Sequence, residues 1–157
     1  MSKIISEAPG RICLFGDHQD YLSQPVIACS IDRLMRLEAV ENNSKFFEII
    51  FSDLNQRIRI PIKDNLTNIK KGDYFKAALK VLERRNVIPT KGYRILINSN
   101  IPINSGLSSS SALTIVWINF LLAAFCKKKI SPTELALLAY ETEVIEQKTS
   151  GGKMDHF

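Results

Sequence analysis

The feature that most constrains the fold is a nearly unbroken apolar segment from Ala112 to Cys126. A membrane-spanning helix needs about 20 apolar residues. This segment is shorter, and it carries the polar residues Thr114 and Asn119. We therefore predict a buried helix here, the most buried one in the chain. With 157 residues, the chain is long enough to form the hydrophobic core that such a helix requires.

The first half of the chain is predicted to be rich in strands and the second half in helices. Apolar, β-branched or alternating segments predict strands at 12–15, 26–31, 34–40, 46–51, 57–62 and 93–97. One further helix is predicted from near Asp73 to around Asn86. Another is predicted to begin at Ser131, where Ser-Pro-Thr-Glu is typical of a helix start. This order predicts an α+β domain, a mixed β-sheet backed by helices.

Charge and cysteine content limit the class of protein only broadly. The net charge of +5 favours anionic partners such as nucleotides, sugar phosphates or nucleic acid. Cys13, Cys29 and Cys126 are far apart and odd in number, which is typical of free thiols in a reducing cytoplasm. The N-terminus has no apolar core of signal-peptide length. The expected location is cytoplasmic, with no membrane partner.

Four consecutive serines, Ser108 to Ser111, precede the apolar helix. The first turn of a helix presents unpaired N–H groups and the positive end of the helix dipole. Gly106 allows the backbone to approach a ligand, and small hydroxyls add donors without bulk. This combination suits phosphate oxygens, and one hydroxyl can reach a magnesium ion. An ordinary helix cap is the alternative interpretation of the same serines.

A second polar cluster, Gly-Asp-His-Gln-Asp-Tyr, spans residues 16–21 after a predicted strand. Carboxylates and imidazole are suited to hydrogen-bonding with sugar hydroxyls. The alternative is a polar turn between two strands. The spacing of His18 and its neighbouring carboxylates matches no recognised metal site.

Three segments together resemble one kinase superfamily. "APGRICLFGDHQDY" resembles the N-terminal signature of galactokinases, and "PINSGLSSSSAL" resembles the phosphate loop of the galacto-, homoserine, mevalonate and phosphomevalonate kinases (GHMP kinases). "ETEVIEQKTSGGKMDHF" resembles the galactokinase segment in which a helical Glu precedes an Asp by twelve positions, here Glu143 and Asp155. The chain thus looks most like the N-terminal domain of a galactokinase, a fold shared with a domain of a small-subunit ribosomal protein.

The resemblance implies roles for individual residues in ATP-dependent phosphoryl transfer. Asp155 is expected beside the attacking hydroxyl, as base or orienting acceptor, and Arg11 between Asp155 and the transferred phosphoryl group. Ser110 and Glu143 are expected to bind Mg²⁺, and Asp17, His18 and Asp20 the sugar. The residues expected to wrap the triphosphate are Gly106, Leu107, Ser108, Ser109 and Ser110.

The sequence departs from the galactokinase pattern at four places, and the first two bear on the substrate. Asp17 stands where Glu is usual, and residues 22–25 replace a glycine-containing turn. Ser111 stands where Ala is usual. Lys153 stands where an apolar residue is usual, close in sequence to Asp155. The substrate class indicated is therefore a sugar or a sugar-like alcohol.

The family is built from two domains with the active site between them, and residues 1–157 correspond to the first. The expectation is a chain without its C-terminal domain, inactive alone, whose exposed interdomain face allows self-association. Two alternatives are a mevalonate-kinase-like enzyme acting on a non-sugar alcohol and a non-catalytic sensor of sugar and ATP. The pattern His18-x-Asp20-Tyr21 disfavours the first. Nucleic-acid binding is not expected, because the basic residues are scattered.

Overall fold

The computed structural model describes residues 3–102 and 105–157. One five-stranded sheet has the order β1-β2-β5-β3-β4. β3 and β5 run parallel and the other neighbouring pairs run antiparallel, so the sheet is mixed, as predicted. Its strands are β1 (Lys3–Phe15), β2 (Ile27–Asn42), β3 (Phe46–Phe51), β4 (Gln56–Pro61) and β5 (Gly92–Ser99).

Three α-helices accompany the sheet in the described residues. They are α1 (Tyr74–Glu83), α2 (Ser109–Phe125) and α3 (Pro132–Tyr140), and α3 continues into a π-helical turn, Glu141–Glu146. Short 3₁₀ turns lie at Asp20–Leu22 and Met154–His156. The predicted start of α3 is confirmed, because Ser131 and Glu134 form a reciprocal capping box. No helix in the described part of the chain has the length and apolar character needed to cross a membrane.

Two strand predictions were incomplete. Segments 26–31 and 34–40 belong to the single strand β2, and their predicted junction at Asp32-Arg33 is an irregularity in the pairing with β1. Such a bulge inserts extra residues into a strand without ending it. Strand β1 begins at Lys3 rather than Ile12. Its proline, Pro9, is tolerated because β1 is an edge strand of the sheet.

The core is built around α2, which contacts β1, β2, α1 and α3. Nine of its 17 residues are buried, against six of ten in α1, so α2 buries more residues than α1 but a smaller share of its length than the prediction of a most buried helix required. Trp117 is 1% exposed, and its indole N–H donates to the carbonyl of Phe75 at 3.1 Å. Phe47 of β3 packs edge-on against Trp117, with ring centroids 5.2 Å apart. Helix α2 is thereby fixed against the sheet, which determines where its N-terminus lies.

Candidate active site

One cleft of about 930 Å³ gathers residues that are far apart in sequence. They come from the end of β1, the β1–β2 loop, the segment before α2 and the segment around the last 3₁₀ turn. The predicted site residues that line this cleft are Arg11, Asp17, His18, Asp20, Gly106, Leu107 and Asp155.

The guanidinium of Arg11 joins two sides of this cleft. Its Nε donates to Asp155 Oδ1 at 2.7 Å, and its Nη2 contacts the same oxygen. Its Nη1 donates to the carbonyl of Gly106 at 2.8 Å. The Arg11 N–H also donates to the carbonyl of Leu107 at 3.2 Å. Arg11 therefore places a cation beside the Asp155 carboxylate and ties β1 to the loop before α2.

The loop before α2 has an unusual backbone at two positions. Gly106 has φ +70° and is exposed, and a Cβ added there would meet nothing within 4 Å. Ser108 is also left-handed, with φ 56° and ψ 42°. For a residue other than glycine, this conformation costs of order 1–3 kcal/mol, and such strain is concentrated at ligand sites.

The serines do not behave as an ordinary helix cap. Ser108 occupies the N-cap position, but its side chain makes no capping hydrogen bond. Its Oγ is buried and has no hydrogen-bond partner in residues 3–102 and 105–157. Ser109 and Ser110 are half-buried at the open N-terminus of α2, whereas Ser111 is fully buried. The hydroxyls that a ligand can reach at the helix start are therefore those of Ser109 and Ser110.

Glu143 lies in the π-helical turn, close to the start of α2, with a side chain only 13% exposed. Its Oε2 is 2.9 Å from Nε2 of the buried His156. Burial raises the pKa of Glu143, but the hydrogen bond with His156 and the nearby hydroxyls of Ser110 and Ser111 outweigh it and hold the pKa below its ordinary value. Burial and the negative charge of Glu143 raise the pKa of Tyr74, which also lies beside Ser110.

The pairing of Ser110 with an ionised Glu143 fits a magnesium ion that arrives with a nucleotide. Mg²⁺ usually takes one or two protein oxygens and completes its shell with phosphate oxygens and water. Across the described residues, no group of three or more His, Cys, Asp or Glu side chains is arranged to hold a metal ion. Side chains alone therefore provide only part of a coordination shell.

A second pocket, of about 510 Å³, opens on another side of the serine segment. Its lining includes Ser109, Ser110 and Tyr74, and most of the remaining lining residues are apolar. The apolar side chains that line it are Met35, Phe51, Leu54, Ile97, Ile101, Pro102 and Leu113.

The three residues predicted to hold a sugar differ in their surroundings. Asp17 and His18 are exposed on the loop after β1, with Asp17 Oδ2 3.4 Å from His18 Nδ1. Asp20 is half-buried, and both its carboxylate oxygens accept backbone N–H groups, from Tyr21 at 2.8 Å and Met154 at 3.1 Å. All three residues line the cleft, but only Asp20 among them is hydrogen-bonded to the backbone of Met154, another residue of the cleft lining.

Two members of the site were not predicted from the sequence. His156 and Tyr74 contribute to the surroundings of Glu143 and Ser110. The only signal for His156 was its position next to Asp155, and nothing in the sequence shows that its ring contacts Glu143. Lys153 does not line the cleft with Asp155, and its ammonium lies 5.7 Å from the ring centre of Tyr140.

Comparison with known proteins identifies the family. Residues 73–157 match the GHMP kinases N terminal domain, and residues 1–39 match the galactokinase galactose-binding signature. The chain therefore belongs to the GHMP kinase family. It is 32% identical over 163 residues to a galactokinase of Clostridium perfringens, covering 96% of this chain and 40% of that protein. It is 30% identical over 145 residues to the mevalonate kinase of Methanocaldococcus jannaschii, covering 89% of this chain and 46% of that protein.

Solved structures of both kinds of kinase share the fold. The galactokinase of Lactococcus lactis, solved with galactose, superposes with a TM-score of 0.84 at 26% identity over 99% of this chain and 41% of that one. The Methanococcus jannaschii mevalonate kinase superposes with a TM-score of 0.82 at 29% identity over 99% of this chain and 50% of that one. The chain spans less than half the length of these curated relatives, 46% and 40%.

Proposed function

We propose that this chain is the nucleotide- and acceptor-binding half of a cytoplasmic sugar kinase, which transfers the γ-phosphate of ATP to a sugar hydroxyl. The observation that carries the proposal is the Arg11–Asp155 pair, which joins the loop before α2 to the cleft lined by Asp17, His18 and Asp20. One site then holds groups for the phosphates, for the charge of the transferred phosphoryl group and for a polyol. Phosphoryl transfer depends mainly on such positioning and charge stabilisation.

The triphosphate of ATP would lie across residues 106–110. The adenine base would lie in the apolar pocket beside Ser109. The left-handed backbone at Gly106 and Ser108 supports this placement, because it turns the chain around the open start of α2. The N–H groups of the first helical turn and the small serine side chains can then donate to phosphate oxygens. Ser110 and Glu143 would hold Mg²⁺, which supplies positive charge to the phosphates when it is bound.

The acceptor hydroxyl would lie against Asp155. The carboxylate of Asp155 is 38% exposed to the cleft, so it can accept the hydrogen of a hydroxyl while Arg11 holds its Oδ1. Arg11 also places a fixed cation where the transferred phosphoryl group carries its charge. Asp17, His18 and Asp20 would orient the ring by hydrogen bonds to its other hydroxyls. The match of residues 1–39 to a galactose-binding signature supports a sugar as the acceptor.

A second domain is part of the proposal. The hairpin formed by β1 and β2 exposes large apolar side chains near the cleft, including Leu14, Phe15 and Ile27, which are 51%, 71% and 56% exposed. A partner domain would cover this surface and close the cleft. Without it, we expect weak nucleotide binding, no turnover and self-association through the same surface.

Two assays test this function. Calorimetric titration of the 157-residue chain with ATP and Mg²⁺ should show weak binding that Glu143→Gln reduces. A phosphorylation screen of the two-domain protein should include a panel of hexoses and mevalonate. Product from a hexose, with none from mevalonate, is the expected result. Product from mevalonate alone would favour a mevalonate-kinase-like enzyme, the alternative that the similarity to the Methanocaldococcus jannaschii mevalonate kinase supports. Tight binding of both ligands without product would indicate a sensor.

A further inference from the structure

We propose that Asp20 is a positioning residue, which clamps the backbone before Asp155 and so fixes the Asp155 carboxylate in the cleft. The role in phosphoryl transfer rests on the proposed function, and the clamp itself rests on geometry alone. It differs from the role expected from the sequence, in which Asp20 only contacts the sugar.

The contacts of Asp20 link two loops that are more than 130 residues apart. Asp20 begins the short turn Asp20–Leu22, and its Oδ1 accepts the N–H of Tyr21 at 2.8 Å. Its Oδ2 accepts the N–H of Met154 at 3.1 Å, and Met154 directly precedes Asp155. A hydrogen bond to a charged carboxylate is stronger than a bond between neutral groups. This bond therefore holds the backbone at Met154.

Gly152 shows how tightly the two loops meet. A Cβ built on Gly152 would overlap the carboxylate of Asp20, so any side chain there would displace it. The neighbouring Gly151 provides a contrast, because the nearest atom to an added Cβ is Val144 Cγ2 at 3.3 Å. The space beside Gly152 is thus occupied by the Asp20 carboxylate.

Two independent contacts then determine where Asp155 lies. Arg11 binds its side chain at Oδ1, and Asp20 binds the backbone of the preceding residue. Loss of the second contact would leave Asp155 attached to Arg11 but free to shift with its loop. A displacement of about 1 Å in a reacting group can lower the rate about 100-fold. Asp20 should therefore affect kcat more than the KM for the sugar.

Amide hydrogen exchange tests the clamp without any need for activity. In the 157-residue chain, Asp20→Ala should raise the exchange rate of the Met154 N–H by about tenfold or more, as local opening becomes easier. Asp20→Asn keeps the size but only one acceptor oxygen, and should give a smaller rise. The matched control is Asp17→Ala, which removes an exposed carboxylate of the same loop and should leave Met154 exchange unchanged.

A second pair of variants tests the packing. Gly152→Ala should speed Met154 exchange, whereas Gly151→Ala should not. Combined with Asp20→Ala, the change at Gly152 should add little, because the carboxylate it displaces is already gone. Additive effects of the two changes would show that they act independently and would contradict the clamp.

Kinetics of the two-domain protein then test the role in transfer. Asp20→Ala should lower kcat by roughly 10- to 100-fold with a smaller change in the KM for the sugar, whereas Asp17→Ala should mainly raise KM. Unchanged Met154 exchange in both Asp20 variants overturns the proposal, and so does a change in KM alone. Faster exchange with an unaltered kcat overturns the positioning role. If Met154 exchange is faster but the two-domain protein phosphorylates no sugar, the clamp is supported and the proposed function is contradicted.

Discussion

At the scale of single residues, neighbouring serines at the start of α2 have different environments. Both Ser110 and Ser111 lie near Glu143, but Ser110 is half-buried whereas Ser111 is fully buried. The Ser111 hydroxyl has no hydrogen-bond partner within the described residues. The direction in which each side chain leaves the helix decides this difference, and the letters "SSSS" do not show it.

This difference predicts opposite results for two alanine variants. In the two-domain protein, Ser110→Ala should reduce kcat by about 100-fold or more, as loss of a preorganised charge-stabilising group does. Ser111→Ala should leave kcat almost unchanged and keep or raise the melting temperature, because a buried hydroxyl without a partner is replaced by a methyl-sized group. Steady-state kinetics and thermal unfolding check both variants. The reverse order of effects would mean that the register of the phosphate loop is shifted by one residue.

Glu143 predicts a pH dependence of stability. Its pKa in the folded chain lies below the ordinary value, so the unfolded chain binds a proton more readily than the folded one. Its contribution to the free energy of unfolding is therefore present above the ordinary Glu pKa, about 4.3, and is lost as pH falls through the lower folded value. Glu143→Gln should destabilise the chain at pH 7 and much less near pH 3.

Urea unfolding at the two pH values measures this effect. Glu48→Gln is a suitable control, because Glu48 lies on β3, far in sequence from the serine loop. An equal loss of stability for Glu143→Gln at both pH values would contradict the pKa argument. Lost packing, rather than the charge of Glu143, would then explain the loss.

At the scale of elements, the three α-helices differ in how their N-termini are capped. α1 and α3 begin with side-chain caps, from Asp73 and from Ser131 with Glu134. α2 begins with the strained residue Ser108 and no side-chain cap. The helix start that departs from the usual chemistry is therefore the one at the candidate nucleotide site. Its stability comes from packing of its apolar length rather than from its first turn.

The capping box of α3 gives a test at this scale. Ser131→Ala should lower the free energy of unfolding by about 1 kcal/mol, because the Glu134 N–H loses its acceptor. Thr133 lies in the same exposed first turn but is not part of the capping box, so Thr133→Ala serves as the matched control. Denaturant unfolding of both variants makes the comparison. Equal effects would assign the loss to helix propensity rather than to the cap.

At the scale of the whole molecule, the mixed sheet brings the site together. β1 and β2 place the loop with Asp17 and Asp20 at one end of a long hairpin, and α2 packs against the same two strands. The final turn with Asp155 then meets Arg11 of β1 across 144 positions of sequence. The cleft is thus a product of the packing order of the elements, since none of its segments forms it alone.

The sequence by itself determined the elements and the identity of the chemical groups. Hydrophobic periodicity predicted the strands and the buried helix α2, because burial of apolar faces is what those patterns encode. The three motifs indicated the family by resemblance, and their glycine, serine and acidic residues suit the recognition of phosphates and hydroxyls. The sequence did not predict that two segments join into β2, because a bulge continues the pairing with β1 across the polar residues between them.

Only the tertiary structure decided how these groups meet. The contact of His156 with Glu143, the burial of Ser111 and the bond from Asp20 to the Met154 backbone all depend on the path of the chain between distant segments. Hydrogen bonds and packing act over a few ångströms, so they are determined by which segments the core brings together. Sequence spacing sets only how far apart two groups lie along the chain, and the packing of α2 against the sheet sets how far apart they lie in space.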